Sequence, residues 1–359
     1  MKAVVYNKYG STNRIRYVEV ERPVVKDDEV LVEVHAVSIN QADVSMLLGK
    51  PFPLRFMTGL FRPKHKIMGS DISGVIKEIG NSVKVFKVGD EVFGELEINE
   101  EGGLAEYAAI KTEQLTKKPK NVSHSEASSV TMAALTALQG LRLANLKEGS
   151  NVLIYGASGG VGTFMIQVAK AVKAKVTAVC STRNITVAKE SGADVIIDYK
   201  KEKWNNQNKK YDVIIAANGY NKLKVYRDAL VDDGIYVISG GTMKQIMEVF
   251  LYKPFMRKKG NKQFLNYVAK TIREDLIVIA NMLEKGEIRP HIDKEFPIEE
   301  SNLAFDHFIA GKTIGKTVIK IKWYNEWTAP KNLDIEIYEK ERVQFLYVKI
   351  YNRVFKIKW

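Results

Sequence analysis

The stretch from Val152 to Lys170, VLIYGASGGVGTFMIQVAK, constrains the fold of this chain more than any other. A short apolar run enters a glycine cluster and an apolar-periodic segment leaves it, the order of strand, tight turn and helix. A helix N-terminus offers unpaired N–H groups and positive dipole charge, so a loop feeding it can cradle a pyrophosphate. Glycines are needed there because a Cβ would block the turn, the ligand or the helix–strand packing. The fingerprint falls on Ala157, Ser158, Gly159, Gly160, Val161 and Gly162, with Ala157 in the first glycine position and Gly156 just before it. Many strand-to-helix turns are glycine-rich for packing alone. Here a further strand, KVTAVC, follows at the expected distance, and the stretch reads as a dinucleotide site.

The surrounding texture agrees. From about Ser123, helical SHSEASSVTMAALTALQGLRLA leads into strand NVLIYG, the glycine loop and its helix, then strands KVTAVC, VIIDY, YDVIIAAN and GIYVISGG with helical NITVAKESG and KLKVYRDALV among them. Strands alternating with helices in units of roughly 30 residues imply a parallel, doubly wound sheet. Residues 1 to about 122 differ: alternating runs such as EVLVEVHAVSI and GVIKEIG, separated by turn signals such as VGDEVFG, predict a strand-rich, barrel-like unit. Beyond Gly241 come a helix, REDLIVIANMLEKGEI, a strand, GKTVIKIKW, and a tail with two alternating runs that reads as a β-ribbon of no assigned role. The fold class is therefore α/β.

The choice of dinucleotide turns on the end of the second strand, about 20 residues after the fingerprint. A carboxylate there would bind the ribose 2′-hydroxyl of NAD. The sequence gives Cys180, Ser181, Thr182 and Arg183 instead. Two hydroxyls and a planar guanidinium suit a 2′-phosphate, which favours NADPH. Ser181 or Thr182 as the cap of the next helix is compatible with the same reading.

Composition excludes several classes. A single cysteine, Cys180, permits no internal disulfide framework and no four-cysteine zinc site, and it suits a reducing compartment. The N-terminal apolar run is too short for a signal-peptide core, and no window approaches a membrane span, so a cytoplasmic protein with no membrane partner is expected. The formal charge of +13 favours anionic partners, but its lysines and arginines are scattered and no nucleic-acid motif accompanies them. A solvated basic surface is the preferred reading.

The segments YGASGGVGTFMIQVAK, VCSTRN and GADVIIDY resemble the medium-chain dehydrogenase/reductase superfamily, and in particular its zinc-free quinone-oxidoreductase branch. Upstream, VSINQADVSMLLGKPFPLRFMTGLFRPKHKIMGSDISGVIKEIGNSV, KVGDEVFGE, GGLAEYAAI and SSVTMAALTALQGL resemble the same branch in the same order, from Met1 to about Lys322. The resemblance implies a GroES-like β-rich catalytic domain over 1–122, a Rossmann domain over 123–269, completion of the catalytic domain over 270–322, and an extension over 323–359. Zinc-dependent relatives carry a Cys where this chain has Asn40 and a His-Glu pair where it has Ser70 and Asp71. His35, His65, His124, His291 and His307 show no paired spacing, and a catalytic zinc takes about three protein ligands, so no metal is expected.

Without a metal to polarise a carbonyl, the acceptor must already be reactive or side-chain donors must stabilise the developing charge. The resemblance thus implies hydride transfer from NADPH to a quinone or another activated carbonyl or alkene. A metal-free alcohol or aldehyde dehydrogenase is the alternative, and an NADPH-binding scaffold or nucleic-acid binder with little turnover is the alternative of another class. Candidate polar groups carried over are Asn40, Asp43 and Thr131, with Thr136 on the same helix; for Asp43, capping of a helix competes with proton transfer. Cofactor contacts carried over are Gly159, Gly160 and Val161 with Ser158 at the pyrophosphate, Ser181, Arg183 and Tyr199 near the 2′-phosphate, Asn218 by the ribose, and Gly240 and Gly241 along the nicotinamide. A Lys often follows the position of Arg183 in relatives; here it is Asn184. Segments 49–63 and 247–259, rich in aromatic and long aliphatic residues, are the expected pocket lining. A homodimer through the edge of the Rossmann sheet is implied, with GIYVISGG as the candidate contact.

Overall fold

Alternation in the first third of the chain resolves into strands β1 (Lys2–Tyr6), β2 (Ile15–Glu19), β3 (Glu29–Ile39), β4 (Asp71–Ile79), β5 (Glu91–Glu95), β6 (Tyr107–Lys111) and β7 (Leu115–Lys117), with helices α1 (Gln41–Leu48) and α2 (Arg55–Thr58) between β3 and β4. The computed structural model describes residues 1–205, 209–240, 245, 247–249 and 261–321, with the backbone of 345–350 and 353–358. All eleven residues of β3 are buried because strands flank it on both edges: β4 along one, β15 and β6 along the other. The sheet runs β14-β15-β3-β4-β5-β7, so β14 (Ile292–Pro297) and β15 (Lys316–Lys320), far along the chain, complete a layer begun near the N-terminus. Val30, Val32, Val34, Ile72, Ile76, Val92 and Ile319 fill its core.

Helices α3 (His124–Ser128) and α4 (Thr131–Leu143) lead to β8 (Asn151–Tyr155), α5 (Gly160–Ala171), β9 (Lys175–Cys180), α6 (Ile185–Glu190), β10 (Val195–Asp198), β11 (Tyr211–Ala216), α7 (Leu223–Ala229), β12 (Leu230–Ile238) and β13 (Gln263–Asn266); α8 (Arg273–Glu284) and α9 (Ser301–Ile309) follow. The second sheet is parallel, ordered β10-β9-β8-β11-β12-β13. Both of its faces are covered, which explains the continuous apolar runs of its strands. Val152 and Ile154 enter one core with α4, α5 and α8, and Leu153 enters the other with Trp204, Tyr226 and Tyr236. The expected Rossmann sheet and GroES-like layer are both present.

One expectation fails on topology. GIYVISGG was to be a sheet edge, yet β12 lies inside, paired with β11 on one side and β13 on the other. Among the described residues the edge on that side belongs to β13, four residues (QFLN) too short and too polar to stand out as a strand. In the tail, treated by itself, β16 (Phe345–Ile350) and β17 (Arg353–Lys358) form an antiparallel hairpin. Residues 250–259 of the expected pocket lining, Gly241 and residues 323–344 lie outside the described residues.

Candidate active site

The register of the first sheet gathers polar residues from four distant stretches. Ser38 lies opposite Asp71, Asp71 lies opposite Glu95, and Thr317 pairs with Ile39, which sets Lys316 beside Asn40. Asn40 caps α1, and its main-chain N–H donates to Asp43 Oδ2 at 2.7 Å in a capping box. Ser70 Oγ donates to Asp43 Oδ1 at 2.9 Å. Both Asp43 oxygens are therefore engaged in holding the chain, which favours the capping role over proton transfer. Burial pushes the Asp43 carboxyl up to about 6, against the pull of the Asn40 N–H.

The Asn40 side chain is held at both ends. Its Nδ2 donates to Asp71 Oδ2 at 2.9 Å and its Oδ1 accepts from Lys316 Nζ at 2.6 Å. Lys316 Nζ also stands 3.5 Å from Asp71 Oδ2. Asp71 accepts further bonds from Ser38 Oγ at 3.2 Å and from the Met132 N–H at 3.1 Å, in the first turn of α4, where the helix dipole favours a negative charge. Burial pushes Asp71 up and Lys316 down from their ordinary values, and their mutual attraction opposes both shifts. Glu95, partly buried beside this pair, accepts from Thr271 Oγ1 at 3.0 Å. Burial and then the Asp71 charge push its carboxyl up to about 8, so it keeps its proton at neutral pH. Thr131, fully buried at the start of α4, has a hydroxyl with no partner among the described residues. Thr136 is bonded within its own helix, its Oγ1 donating to Met132 O at 2.7 Å.

The second half of the site is the edge where β8, β9, β11 and β12 end. The strand order reverses there, β9 on one side of β8 and β11 on the other, the crevice where doubly wound sheets bind ligands. Gly156 leaves β8 at φ +81°, and a Cβ on it would stand 2.7 Å from the Asn218 nitrogen; one on Gly162 would stand 2.3 Å from Gly156 O. Those two glycines serve the turn and the packing. Gly159 does not: its φ of −79° suits any residue, and a Cβ there would meet nothing nearer than 3.9 Å. The Gly160 N–H turns to Gly315 in a parallel bridge, while the N–H groups of Val161 and Gly162 open α5 with no helical carbonyl behind them. An open, donor-lined cradle at a helix N-terminus fits a dinucleotide pyrophosphate. Ser158 steadies the loop, its Oγ accepting from Asn184 Nδ2 at 2.7 Å. Ser181 follows β9, Tyr199 follows β10 and is 46% exposed, Asn218 follows β11, and Gly240 follows β12 with room for no Cβ, since one would stand 2.5 Å from Ala217 O.

Several residues sit otherwise than the sequence reading had them. The Thr182 hydroxyl, expected beside Ser181 as a phosphate ligand, donates to Asp198 Oδ2 at 2.6 Å. A carboxylate does stand next to the end of β9, supplied by β10, whose Asp198 is in register with Cys180. The Thr182 bond, helped by the Lys200 N–H and the charges of Lys201 and Lys200, holds that carboxyl below its usual range. Arg183, exposed, donates to the Gly311 carbonyl ahead of β15, so its guanidinium is partly engaged. His35 and His124 meet edge to face at 4.3 Å although nothing in their spacing connects them, and burial lowers His124 to about 4. In segment 49–63, Phe52, Phe56, Met57 and Phe61 are exposed around two short helical turns. Lys316 and Glu95, central to the buried cluster, were missed.

Comparisons with known proteins show the family and the fold. Residues 26–120 match the family described as alcohol dehydrogenase GroES-like domain, and residues 191–319 match that described as zinc-binding dehydrogenase. The chain is 34% identical over 336 residues to the chloroplast envelope quinone oxidoreductase homolog of Arabidopsis thaliana, covering 89% of this chain and 98% of that one. It is 31% identical over 330 residues to 2-methylene-furan-3-one reductase of Solanum lycopersicum, covering 89% and 79%. Among solved structures, the quinone oxidoreductase from Coxiella burnetii superposes with a TM-score of 0.80 at 26% identity, over 90% of this chain and 99% of that one. Zinc does not fit the residues here: Asn40, Ser70 and Asp71 offer one carboxylate, and the Lys316 ammonium already occupies the place of a cation between Asn40 and Asp71.

Proposed function

The chain belongs to the quinone-oxidoreductase group of the medium-chain dehydrogenase/reductase superfamily, and from that premise we propose a zinc-independent reductase that uses NADPH to reduce quinones or other activated carbonyls and alkenes. The observation that carries this reading is the protein cation at the heart of the cluster, 2.6 Å from the Asn40 carbonyl oxygen. A site that holds an ammonium there suits acceptors that are electrophilic without a Lewis acid. When bound, NADPH supplies the hydride.

The chain's own residues bind and orient. The N–H groups of Val161 and Gly162, beside the open face of Gly159, receive the pyrophosphate, and Ser158 is held under them by Asn184. Ser181, Arg183 and Tyr199 receive the 2′-phosphate, with Lys200 and Lys201 adding positive charge beside them. Asn218 and Gly240 line the ribose and nicotinamide side. Asn40 orients the substrate, and the Thr131 hydroxyl, unpartnered and buried, is the second donor on that side. A homodimer would pair through the free edge of β13, which sedimentation equilibrium would read as twice the 40.5 kDa chain mass.

The test is NADPH oxidation in the presence of a benzoquinone, a linear enone and the matching saturated ketone. Turnover with the first two and none with the third is expected. Turnover only with the saturated ketone, or in reverse with an alcohol, would overturn the substrate class.

A further inference from the structure

Lys316 occupies a position that neither the glycine loop nor the capping of α1 explains. Its backbone opens β15 beside that loop: the Gly315 N–H donates to Ser158 O at 3.2 Å, and a Cβ on Gly160 would stand 2.9 Å from Lys316 Cδ. From there the side chain runs inward and ends 2.6 Å from Asn40 Oδ1. The opposite end of the same amide faces a carboxylate, Nδ2 donating to Asp71 Oδ2 at 2.9 Å. Flipping the amide would set its NH2 against an ammonium and its carbonyl against a carboxylate, both repulsive in a buried place. Asn40 therefore has one orientation, fixed from both ends by an ion pair. Nδ2 carries two hydrogens; Asp71 takes one, and no described residue takes the other.

We propose that Lys316 is a positioning residue: with Asp71 it locks the Asn40 amide so that the second Nδ2–H is presented, already oriented, to the carbonyl oxygen of the bound quinone or enone. This rests on Asn40 being the substrate-orienting group of the reductase reading above. As negative charge gathers on that oxygen, a donor held in place stabilises it without reorganisation. The ammonium on the far side of the amide withdraws charge from it and strengthens the N–H as a donor. Lys316 thus acts through Asn40 and does not touch the substrate.

The experiment compares Lys316→Met, which keeps the stem beside Gly160 and removes the charge, with the double variant Lys316→Met/Asp71→Asn, which also removes the carboxylate that would otherwise be left unpaired. With both variants folded, kcat for the quinone should fall about a hundredfold while KM for NADPH stays within about threefold. Native kcat in the single variant would overturn the proposal. Native kcat in the double variant would overturn it too, by reducing Lys316 to a counter-charge for Asp71. An independent readout is the 15N side-chain amide of Asn40, assigned by its loss in Asn40→Leu. Its two hydrogens should have well-separated resonances in the native chain and shifted, converging ones in Lys316→Met; unchanged resonances would overturn the proposal. Should the native chain reduce no quinone at all, the reductase reading fails, and the amide resonances alone then decide whether Lys316 sets the Asn40 orientation.

Discussion

At the glycine loop the chain leaves helical donors unpaired among the described residues and space unfilled: the Val161 and Gly162 N–H groups open α5, and a Cβ on Gly159 would meet nothing nearer than 3.9 Å. At Asn40, by contrast, Asp43, Asp71 and Lys316 are enclosed and each bonded to Asn40, with Ser38 and Ser70 holding the two carboxylates, in bonds of 2.6 to 3.2 Å. The first region is incomplete without an anion. Among the described residues the second is complete in itself save for one N–H and the Thr131 hydroxyl. Each region therefore fails differently when altered: the open edge should lose ligand without losing fold, and the closed cluster should lose fold first.

The largest effect expected is that of Asp71→Ala. It strands the Lys316 ammonium in a buried place and leaves donors of Ser38, Asn40 and Met132 unpaired, which costs about 3–5 kcal/mol of stability in urea unfolding. A loss below about 1 kcal/mol would show that the cluster is not the closed unit described. Gly159→Val comes next and should behave oppositely. Its backbone conformation and surroundings accept a side chain, so the melting temperature should stay near native while cofactor affinity falls about a hundredfold, near 3 kcal/mol. Equal affinity would mean that the cofactor does not approach this face.

The smallest effect sharpens the boundary between the regions. Glu95 has its carboxyl raised from 4.5 to about 8, so the folded chain keeps a proton that the unfolded chain releases. Its stabilising contribution is full below pH 4.5 and is lost as pH rises through 8. Glu95→Gln, neutral throughout and still able to accept from Thr271, should flatten the fall of melting temperature between pH 4.5 and pH 8. An unchanged slope would show that Glu95 is ionised in the folded chain.

The open edge was legible in the sequence because it is local. Strand, glycines and helix follow one another within 19 residues, whereas the bond of Thr182 to Asp198 was not legible, since Asp198 comes from a strand whose neighbour is set by sheet order. The closed cluster was half legible. Asn40 and Asp71 stood out as the residues in place of metal ligands, but Lys316 is 276 positions from Asn40. On alternation Lys316 shares a face with Lys320 in an apolar strand, and that pattern gives no reason to turn it inward. Its burial follows from β15 pairing with β3 rather than with a sequence neighbour. The short edge strand β13 was lost for the same kind of reason, because a parallel partner, not its own composition, makes it a strand.

The measurement that bears most directly on the open edge as an NADPH site is a fluorescence titration of the native chain with NADPH and, separately, with NADH. Tighter NADPH binding, by about tenfold or more, is the predicted result, because a 2′-phosphate gains charge-assisted bonds from Ser181 and Arg183. Equal or tighter binding of NADH would contradict that assignment and leave Asp198 as the residue that reads the ribose, and binding of neither would contradict the dinucleotide site itself.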